Sequence, residues 1–360
     1  MYTQQSLQDI LFLMLYGGVA MLALAAGLYL GLRRSNAFVP AVIPPRALRC
    51  WTATFFVAAA LSHVWWYVLG VYWLTDDRLV RNIIAVTLDH VALVPLAIAL
   101  LLRMLQDRQR RLWPWVLAQV PVVVFAAVGV VRHDAFYGLD MTQYWQMGVM
   151  AIFFVYYVYA LFQYDRWLRE NYADLEHKEV WQSLLFMVVL FAVYETYFTN
   201  PGEMVREYMA QVNTLVIIAF LLWRVEALQQ LIPESSDGVN PLSATNPNNI
   251  GAQLKKFCAD EQLYLEHDLT LQQLAMAIGT NRTYLSAYFA QQGITYNTYI
   301  NRLRIDHFIR LYHESIGSDG PATAMQLAQQ SGFYSYSTFS AAFKKFNGQT
   351  VTVWMKDHQP

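Results

Sequence analysis

The sequence predicts an all-α protein in which a bundle of seven transmembrane helices precedes a soluble domain of two helix-turn-helix units. Three observations predict this fold class. The 360 residues are 56% hydrophobic and only 14% charged, whereas a soluble domain usually has about 25% charged residues. Before residue 230 the apolar residues occur in long runs, and Lys178 is the only lysine there. Two similar polar blocks follow near the C-terminus, so the composition divides the chain into a membrane part and a soluble part.

The first part contains seven apolar runs that are long enough to cross a bilayer, which requires about 20 residues. They lie near residues 10–32, 51–74, 82–105, 112–131, 144–164, 179–199 and 206–228. The first run is interpreted as a retained span rather than a signal peptide, because no basic residue precedes it.

Lysine and arginine predict the orientation of these spans, because they are enriched in cytoplasmic loops. The loops after the first, third and fifth spans are the basic ones; their basic residues are Arg33, Arg34, Arg46, Arg49, Arg108, Arg110, Arg111, Arg166, Arg169 and Lys178. We therefore expect the N-terminus of the seven-span domain, residues 1–230, to lie outside and the chain to emerge into the cytoplasm.

Polar residues within spans are costly and are candidates for function. One group falls in the outer half of the predicted spans, close to several aromatic residues: His63, Trp66, Asp89, His90, Glu195 and Asn213. One interpretation is an outward-opening pocket for a small molecule or an ion. The other is interhelical hydrogen bonding combined with an interfacial aromatic belt.

A metal site in this group remains an alternative, but we assign no metal and no cofactor. Asp89 and His90 are adjacent on a helix and point about 100° apart, so the two do not easily bind one ion. A retinal Schiff base is set aside because the seventh span contains no lysine. Cys50 and Cys258, the two cysteines, are interpreted as ordinary thiols.

Residues 231–251 are rich in Pro, Ser, Asn and Gly and predict a flexible linker. The soluble domain is expected at residues 252–360. A signal through a flexible tether would pass by dimer geometry, or by direct docking of the soluble domain on the inner face of the bundle.

Two similar blocks in the soluble domain each predict a short helix, a tight turn and a second helix. Thr270 and Thr323 are each followed three residues later by Gln, which is the pattern of a capping box. Gly279 and Gly332 then supply left-handed turns. In the second helices, apolar pairs spaced four apart predict one buried face; these pairs are Leu285 with Phe289 and Phe339 with Phe343.

Two such units joined by a helix resemble the DNA-binding domain of the AraC/XylS family of bacterial transcription regulators. The resemblance covers about residues 252–360. The matching residues are Tyr284-Leu285-Ser286, Tyr299-Ile300-Asn301 with Arg304, Gly332-Phe333, Phe343-Lys344-Lys345 and Gly348-Gln349-Thr350.

The resemblance implies that the second helix of each unit enters the major groove of double-stranded DNA. The implied base-reading residues are Arg282, Thr283, Ser286 and Ala287 in the first unit and Tyr336, Ser337, Ser340 and Ala341 in the second. Lys344 and Lys345 would contact phosphates. The sequence departs from the family at Ala287 and Ala341, where arginine is frequent, and at Val351, where proline is usual.

The soluble domain has nine Lys or Arg residues and eight Asp or Glu residues. So few excess cations predict weak nonspecific binding to DNA, and we therefore expect a homodimer held together in the membrane. RNA polymerase is a further candidate partner.

The interpretation is a one-component regulator, not an enzyme, that senses an extracytoplasmic or membrane signal in the bacterial inner membrane. The alternatives are a metal-dependent intramembrane enzyme, a transporter with an appended regulatory domain, and a plain anchor from which proteolysis releases the DNA-binding domain.

Overall fold

The computed structural model describes residues 7–33, 36–38, 40, 42–70, 76–198, 204–231, 250–315 and 323–358. Within residues 191–198, and at 204, 206, 259 and 260, it describes the backbone only. The described residues form helices and no strand, apart from one isolated antiparallel bridge between Tyr172 and Thr270. The prediction of an all-α protein is confirmed.

The chain divides into two compact units, and the division does not follow chain order. The first unit comprises Met1–Phe162 and Val180–Pro233, and the second comprises Gln163–Glu179 and Glu234–Pro360. The second unit therefore includes a segment that the sequence analysis places between the fifth and sixth predicted spans. Most of the predicted linker, residues 232–249, lies outside the described residues, and its flexibility stays a prediction.

The helices of the first unit are mostly long and apolar. They are α1 (Leu7–Leu32), α2 (Arg46–Gly70), α3 (Arg78–Met104), α4 (Trp113–Leu117), α5 (Val120–Arg132), α6 (Met141–Asn171), α7 (Gln182–Phe198) and α8 (Met204–Ala227). A π-helical turn, Phe136–Asp140, leads directly into α6. Helix α2 packs between α1 and α3, and α8 packs against α1, α2 and α7.

Six helical segments in the described part of the chain are long and apolar enough to cross a membrane. They are Leu7–Leu32, Arg46–Leu69, Arg78–Met104, Trp113–Arg132, Phe136–Asn171 and Glu207–Ala227. The sixth predicted span corresponds to α7, whose 17 residues measure about 25 Å at 1.5 Å per residue. Residues 199–203, which follow α7, lie outside the described residues, and α7 is not among the six segments, so the prediction of seven spans is not confirmed.

A buried carboxylate joins three of the apolar helices at one end of the first unit. Glu226 in α8 is fully buried, and its Oε1 lies 3.5 Å from Nε of Arg49 in α2. The hydroxyl of Tyr29 in α1 donates to the same carboxylate at 3.4 Å. Asn36, which follows α1, donates to the backbone oxygen of Glu226 at 2.7 Å. These bonds fix the relative positions of α1, α2 and α8, because a buried charge is costly unless it is paired.

The described helices of the second unit, apart from the end of α6, are shorter. They are α9 (Ile250–Leu254), α10 (Leu271–Ala277), α11 (Arg282–Gln291), α12 (Tyr296–Ser315), α13 (Ala324–Gln330), α14 (Tyr336–Asn347) and α15 (Val351–Asp357). Two apolar cores form around α12. One gathers α9, α10 and α11, and the other gathers α13, α14 and α15.

Candidate nucleic-acid interface

The first helix-turn-helix unit begins with the predicted capping box. The hydroxyl of Thr270 accepts from the amide of Gln273 at 3.2 Å, and Oε1 of Gln273 accepts from the amide of Thr270 at 2.8 Å. After α10 the chain turns at Gly279, whose φ is +72°. Asn281 then caps α11 by accepting from the amide of Tyr284 at 2.9 Å. Each of these turns is built by residues at most three positions apart.

Helix α11 buries one face and exposes the other. Leu285 and Phe289 are buried in the first core, as their spacing predicts. The four implied base-reading residues lie away from this core: Thr283 and Ala287 are exposed, and Arg282 and Ser286 are half-buried.

The second helix-turn-helix unit repeats this construction. Thr323 and Gln326 form the second capping box, with bonds of 3.3 and 3.1 Å. Gly332 turns the chain with φ +92°, and Ser335 caps α14 by accepting from the amide of Thr338 at 3.3 Å.

Helix α14 buries Phe339 and Phe343. Its outer face carries the remaining implied DNA contacts. Tyr336, Ser337, Ala341, Lys344 and Lys345 are exposed, and Ser340 is half-buried.

A buried arginine joins the two helix-turn-helix units. Arg304 in α12 is fully buried, and its Nε donates to the backbone oxygen of Tyr264 at 2.7 Å. Its Nη2 donates to the oxygen of Glu266 at 2.6 Å, and its guanidinium lies 5.6 Å from the ring centre of Phe333 in the second unit. Burial lowers the pKa of Arg304. The resemblance singled out Arg304, and the contacts make it a structural residue.

The segment Gln163–Glu179 reaches the first recognition helix, which sequence reasoning missed. Oδ1 of Asn171 accepts from Nε of Arg282 at 2.8 Å. Nδ2 of Asn297, in α12, donates to the backbone oxygens of Ala173 at 2.6 Å and Tyr172 at 3.3 Å. The available signal was weak: this loop is more polar than a short connection between spans requires.

Burial also shifts the pKa of Asp174 and that of Cys258, in the same compact unit. It raises the pKa of the Asp174 carboxyl, which Lys178 and Arg304 partly offset by attraction. It also raises the pKa of the Cys258 thiol to about 12, so this thiol is protonated and unreactive at neutral pH.

The polar residues proposed for an outer pocket form hydrogen bonds within the first compact unit, which contains the apolar helices. The carboxylate of Asp89 accepts from Ser62 at 2.5 Å and from Nε1 of Trp66 at 2.7 Å. Nε2 of His63 is hydrogen-bonded to Oε1 of Gln211 in α8 at 3.0 Å. Nδ1 of His90 lies 2.6 Å from the backbone oxygen of Val86 in its own helix.

The other two members of this predicted group add little. Asn213 is half-buried in α8, and the side chain of Glu195 lies outside the described residues. Among the described residues, no three His, Cys, Asp or Glu side chains are grouped to hold a metal ion. Trp66 lines a cleft of about 160 Å³ between α2 and α3. The other lining residues are Leu69, Arg78, Arg81, Asn82 and Ala85.

Comparison with known proteins agrees with the construction of the second compact unit, which contains both helix-turn-helix units. Residues 262–357 match a family model described as a helix-turn-helix domain. No curated protein and no solved structure matches the chain. The match begins in the turn before α10 and ends in α15, so it spans both helix-turn-helix units and the helix α12 that connects them. The C-terminal domain of this chain is therefore an AraC-type helix-turn-helix DNA-binding domain.

Proposed function

We propose that this protein is a one-component transcription regulator embedded in a bacterial inner membrane. Its membrane part receives an extracytoplasmic or membrane-borne signal, and its C-terminal domain binds specific DNA sequences in the cytoplasm. The observation that carries the proposal is the presence, in one chain, of six apolar helices of membrane-spanning length and an AraC-type helix-turn-helix domain.

The surface of the apolar helices supports embedding in lipid. Met14 and Met21 on α1 are 69% and 66% exposed, and Ile152 and Val155 on α6 are 67% and 70% exposed. Soluble proteins rarely expose large continuous apolar patches to water. Lipid chains would cover these side chains at no such cost.

The exposed faces of α11 and α14 support sequence-specific DNA binding. Among the residues that the family resemblance implies read bases, Thr283, Ala287, Tyr336, Ser337 and Ala341 are exposed, and Arg282, Ser286 and Ser340 are half-buried. Lys344 and Lys345 are exposed in the last turns of α14, where they would bind phosphates. RNA polymerase is a candidate partner of a DNA-bound regulator.

The charge of the domain supports a dimer. With only one more basic than acidic residue in residues 252–360, one domain gains little affinity from phosphate neutralisation. Two domains held together by a membrane dimer would bind neighbouring half-sites at a high effective concentration.

The signal-receiving site is proposed in the outer half of the membrane part. The cleft beside Trp66 is lined by Arg78, Arg81 and Asn82. Asp89 lies next to it through its bond to Trp66. This mixture of charges suits a small polar molecule or an ion.

The test compares DNA binding by three forms of the protein on genomic fragments from around its own gene. The forms are the full-length protein in nanodiscs, residues 250–360 alone, and residues 163–179 joined to 250–360 by a Gly/Ser linker. The third form is needed because Ala173 belongs to the apolar core of the C-terminal domain.

We expect the full-length protein in its DNA-binding state to bind a defined fragment more tightly than either soluble form, because the membrane part pairs two domains. A double substitution of Lys344 and Lys345 by alanine serves as the control for contacts through α14. Equal affinity of all three forms would contradict the dimeric sensor and favour a simple anchor.

A further inference from the structure

The segment Gln163–Glu179 belongs to the DNA-binding unit although it lies between two helices of the membrane part in the chain. Its first nine residues are the end of α6, and the chain continues from its last residue towards α7. The continuous helix Phe136–Asn171 has 36 residues and measures about 54 Å. A helix of this length extends well beyond a hydrocarbon core of about 30 Å.

The segment is anchored on the DNA-binding domain through backbone bonds and one apolar residue. Ala173 is fully buried in the first core. The amide group of Asn297 binds the backbone oxygens of Tyr172 and Ala173. Tyr172 also forms the antiparallel bridge to Thr270, at the start of α10. These contacts hold the backbone of Tyr172 and Ala173 against α10 and α12.

The anchored segment reaches both recognition helices. Asn171 accepts from Arg282, the first residue of α11 and an implied base-reading residue. The carboxylate of Glu176 lies 3.5 Å from the hydroxyl of Thr338, in the first turn of α14. A helix N-terminus attracts negative charge, and DNA phosphates use the same attraction.

The charge of the segment opposes simultaneous binding of DNA. Residues 163–179 contain five acidic and three basic side chains. Lys178 is neutralised further by Asp268, which lies 3.5 Å from its Nζ. A net negative segment beside Arg282 and Thr338 would repel a phosphate backbone that approaches the same helix ends.

We propose that Asn171–Glu179 is an intramolecular competitor of DNA, docked over the N-terminal ends of the two recognition helices. The inference rests on the proposed function, in which α11 and α14 read DNA. A movement of α6 or α7 in the membrane pulls directly on the segment, so undocking transmits the signal without passing through residues 231–251. The released state binds DNA, and the docked state is the inactive one.

The test locks the segment in place with a disulfide. Opposed residues of an antiparallel bridge have Cα atoms about 4.5–5.5 Å apart, which suits a disulfide. The variant carries Tyr172→Cys and Thr270→Cys in full-length protein in nanodiscs, with Cys50→Ser to remove an exposed thiol. The probe is a DNA duplex that the reduced variant selects from a random-sequence library.

We expect the oxidised variant to bind the selected duplex at least about tenfold more weakly than the reduced one, which corresponds to about 1.4 kcal/mol. The comparison is internally controlled, because both states carry the same substitutions and the same altered cap of α10. Tyr172→Cys alone, treated identically, should show no difference between oxidising and reducing conditions.

Equal affinity of the oxidised and reduced forms would overturn the competition while leaving the proposed function standing. Failure of the disulfide to form would show that the segment does not dock as described, and would overturn it as well. Selection of no duplex by either the reduced variant or residues 250–360 alone would instead contradict the proposed function, and this inference with it.

Discussion

Arg282, the first residue of the first recognition helix, is hydrogen-bonded to Asn171, which lies 111 residues earlier at the end of the longest apolar helix. Asn171 is itself held in place, because its Nδ2 donates to the backbone oxygen of Trp167 at 2.7 Å. The arginine that the family resemblance assigns to base reading is thus oriented by a side chain from outside the helix-turn-helix sequence.

The ionisation of Asp174 should control how tightly the segment docks. Burial raises the pKa of Asp174 in the docked state, against the attraction of Lys178 and Arg304 and with the repulsion of Glu176. Docking is therefore favoured most below the ordinary pKa of the carboxyl. This contribution is lost as the pH rises through the raised pKa.

Asp174→Asn should consequently weaken DNA binding by the full-length protein at neutral pH. The asparagine keeps the oxygen that accepts from the amide of Glu176 at 3.0 Å, and it removes the buried charge that opposes docking. Each unit of pKa shift corresponds to about a tenfold change in the docking equilibrium. Asp165→Asn, at a half-exposed site on α6, is the control, and tighter DNA binding by Asp174→Asn would contradict the prediction.

Lys344→Ala should reduce the salt dependence of DNA binding. One lost phosphate contact lowers the slope of log K against log salt by about 0.9, and it should weaken binding to all duplexes alike. Lys356 in α15 is equally exposed but is not among the implied contacts, so Lys356→Ala is the matched control. Binding titrations at several salt concentrations distinguish the two. The same slope for both variants would argue against a phosphate contact of Lys344.

Gly332→Ala should destabilise the C-terminal domain more than Gly348→Ala. Both glycines have positive φ, +92° and +74°, so both substitutions cost about 1–2 kcal/mol for the left-handed conformation. Only at Gly332 would the new Cβ lie 2.9 Å from Cα of Leu265, whereas none of the surrounding atoms comes within 4 Å at Gly348. Overpacking adds about 1–3 kcal/mol. Hydrogen exchange of the α14 amides in full-length protein measures both losses, and equal losses would contradict the close approach.

Thr323→Ala should lower the free energy of unfolding by about 1 kcal/mol, because it removes the capping bonds at the start of α13. Thr350 precedes α15 in the same way, but its side chain makes no capping bond. Thr350→Ala should therefore cost clearly less, although both residues are threonines at helix starts. Exchange of the amides in the first turns of α13 and α15 provides the comparison.

The parts of the molecule that sequence predicted are those built by neighbouring residues. The capping boxes at Thr270 and Thr323, the positive φ angles at Gly279 and Gly332 and the buried apolar pairs all follow from spacings of a few positions. The family resemblance added the order of the helices, and the match over residues 262–357 confirms it.

The docking of residues 163–179 on the DNA-binding domain could not be predicted from such short spacings. The bond from Arg282 to Asn171 and those from Asn297 to the backbone of Tyr172 and Ala173 join residues more than 100 positions apart. An alanine that completes an apolar core has no pattern that distinguishes it from any other alanine.

The buried guanidinium of Arg304 has a consequence for the promoters that this domain recognises. Its bonds to the oxygens of Tyr264 and Glu266, and its contact with Phe333, hold the two helix-turn-helix units at one fixed separation. Inserting one base pair between the two half-sites would rotate one of them by about 35° around the duplex axis. These contacts of Arg304 between the two helix-turn-helix units oppose that rotation. We therefore expect single-base changes within a half-site to be tolerated better than a change in the length of the spacer between half-sites.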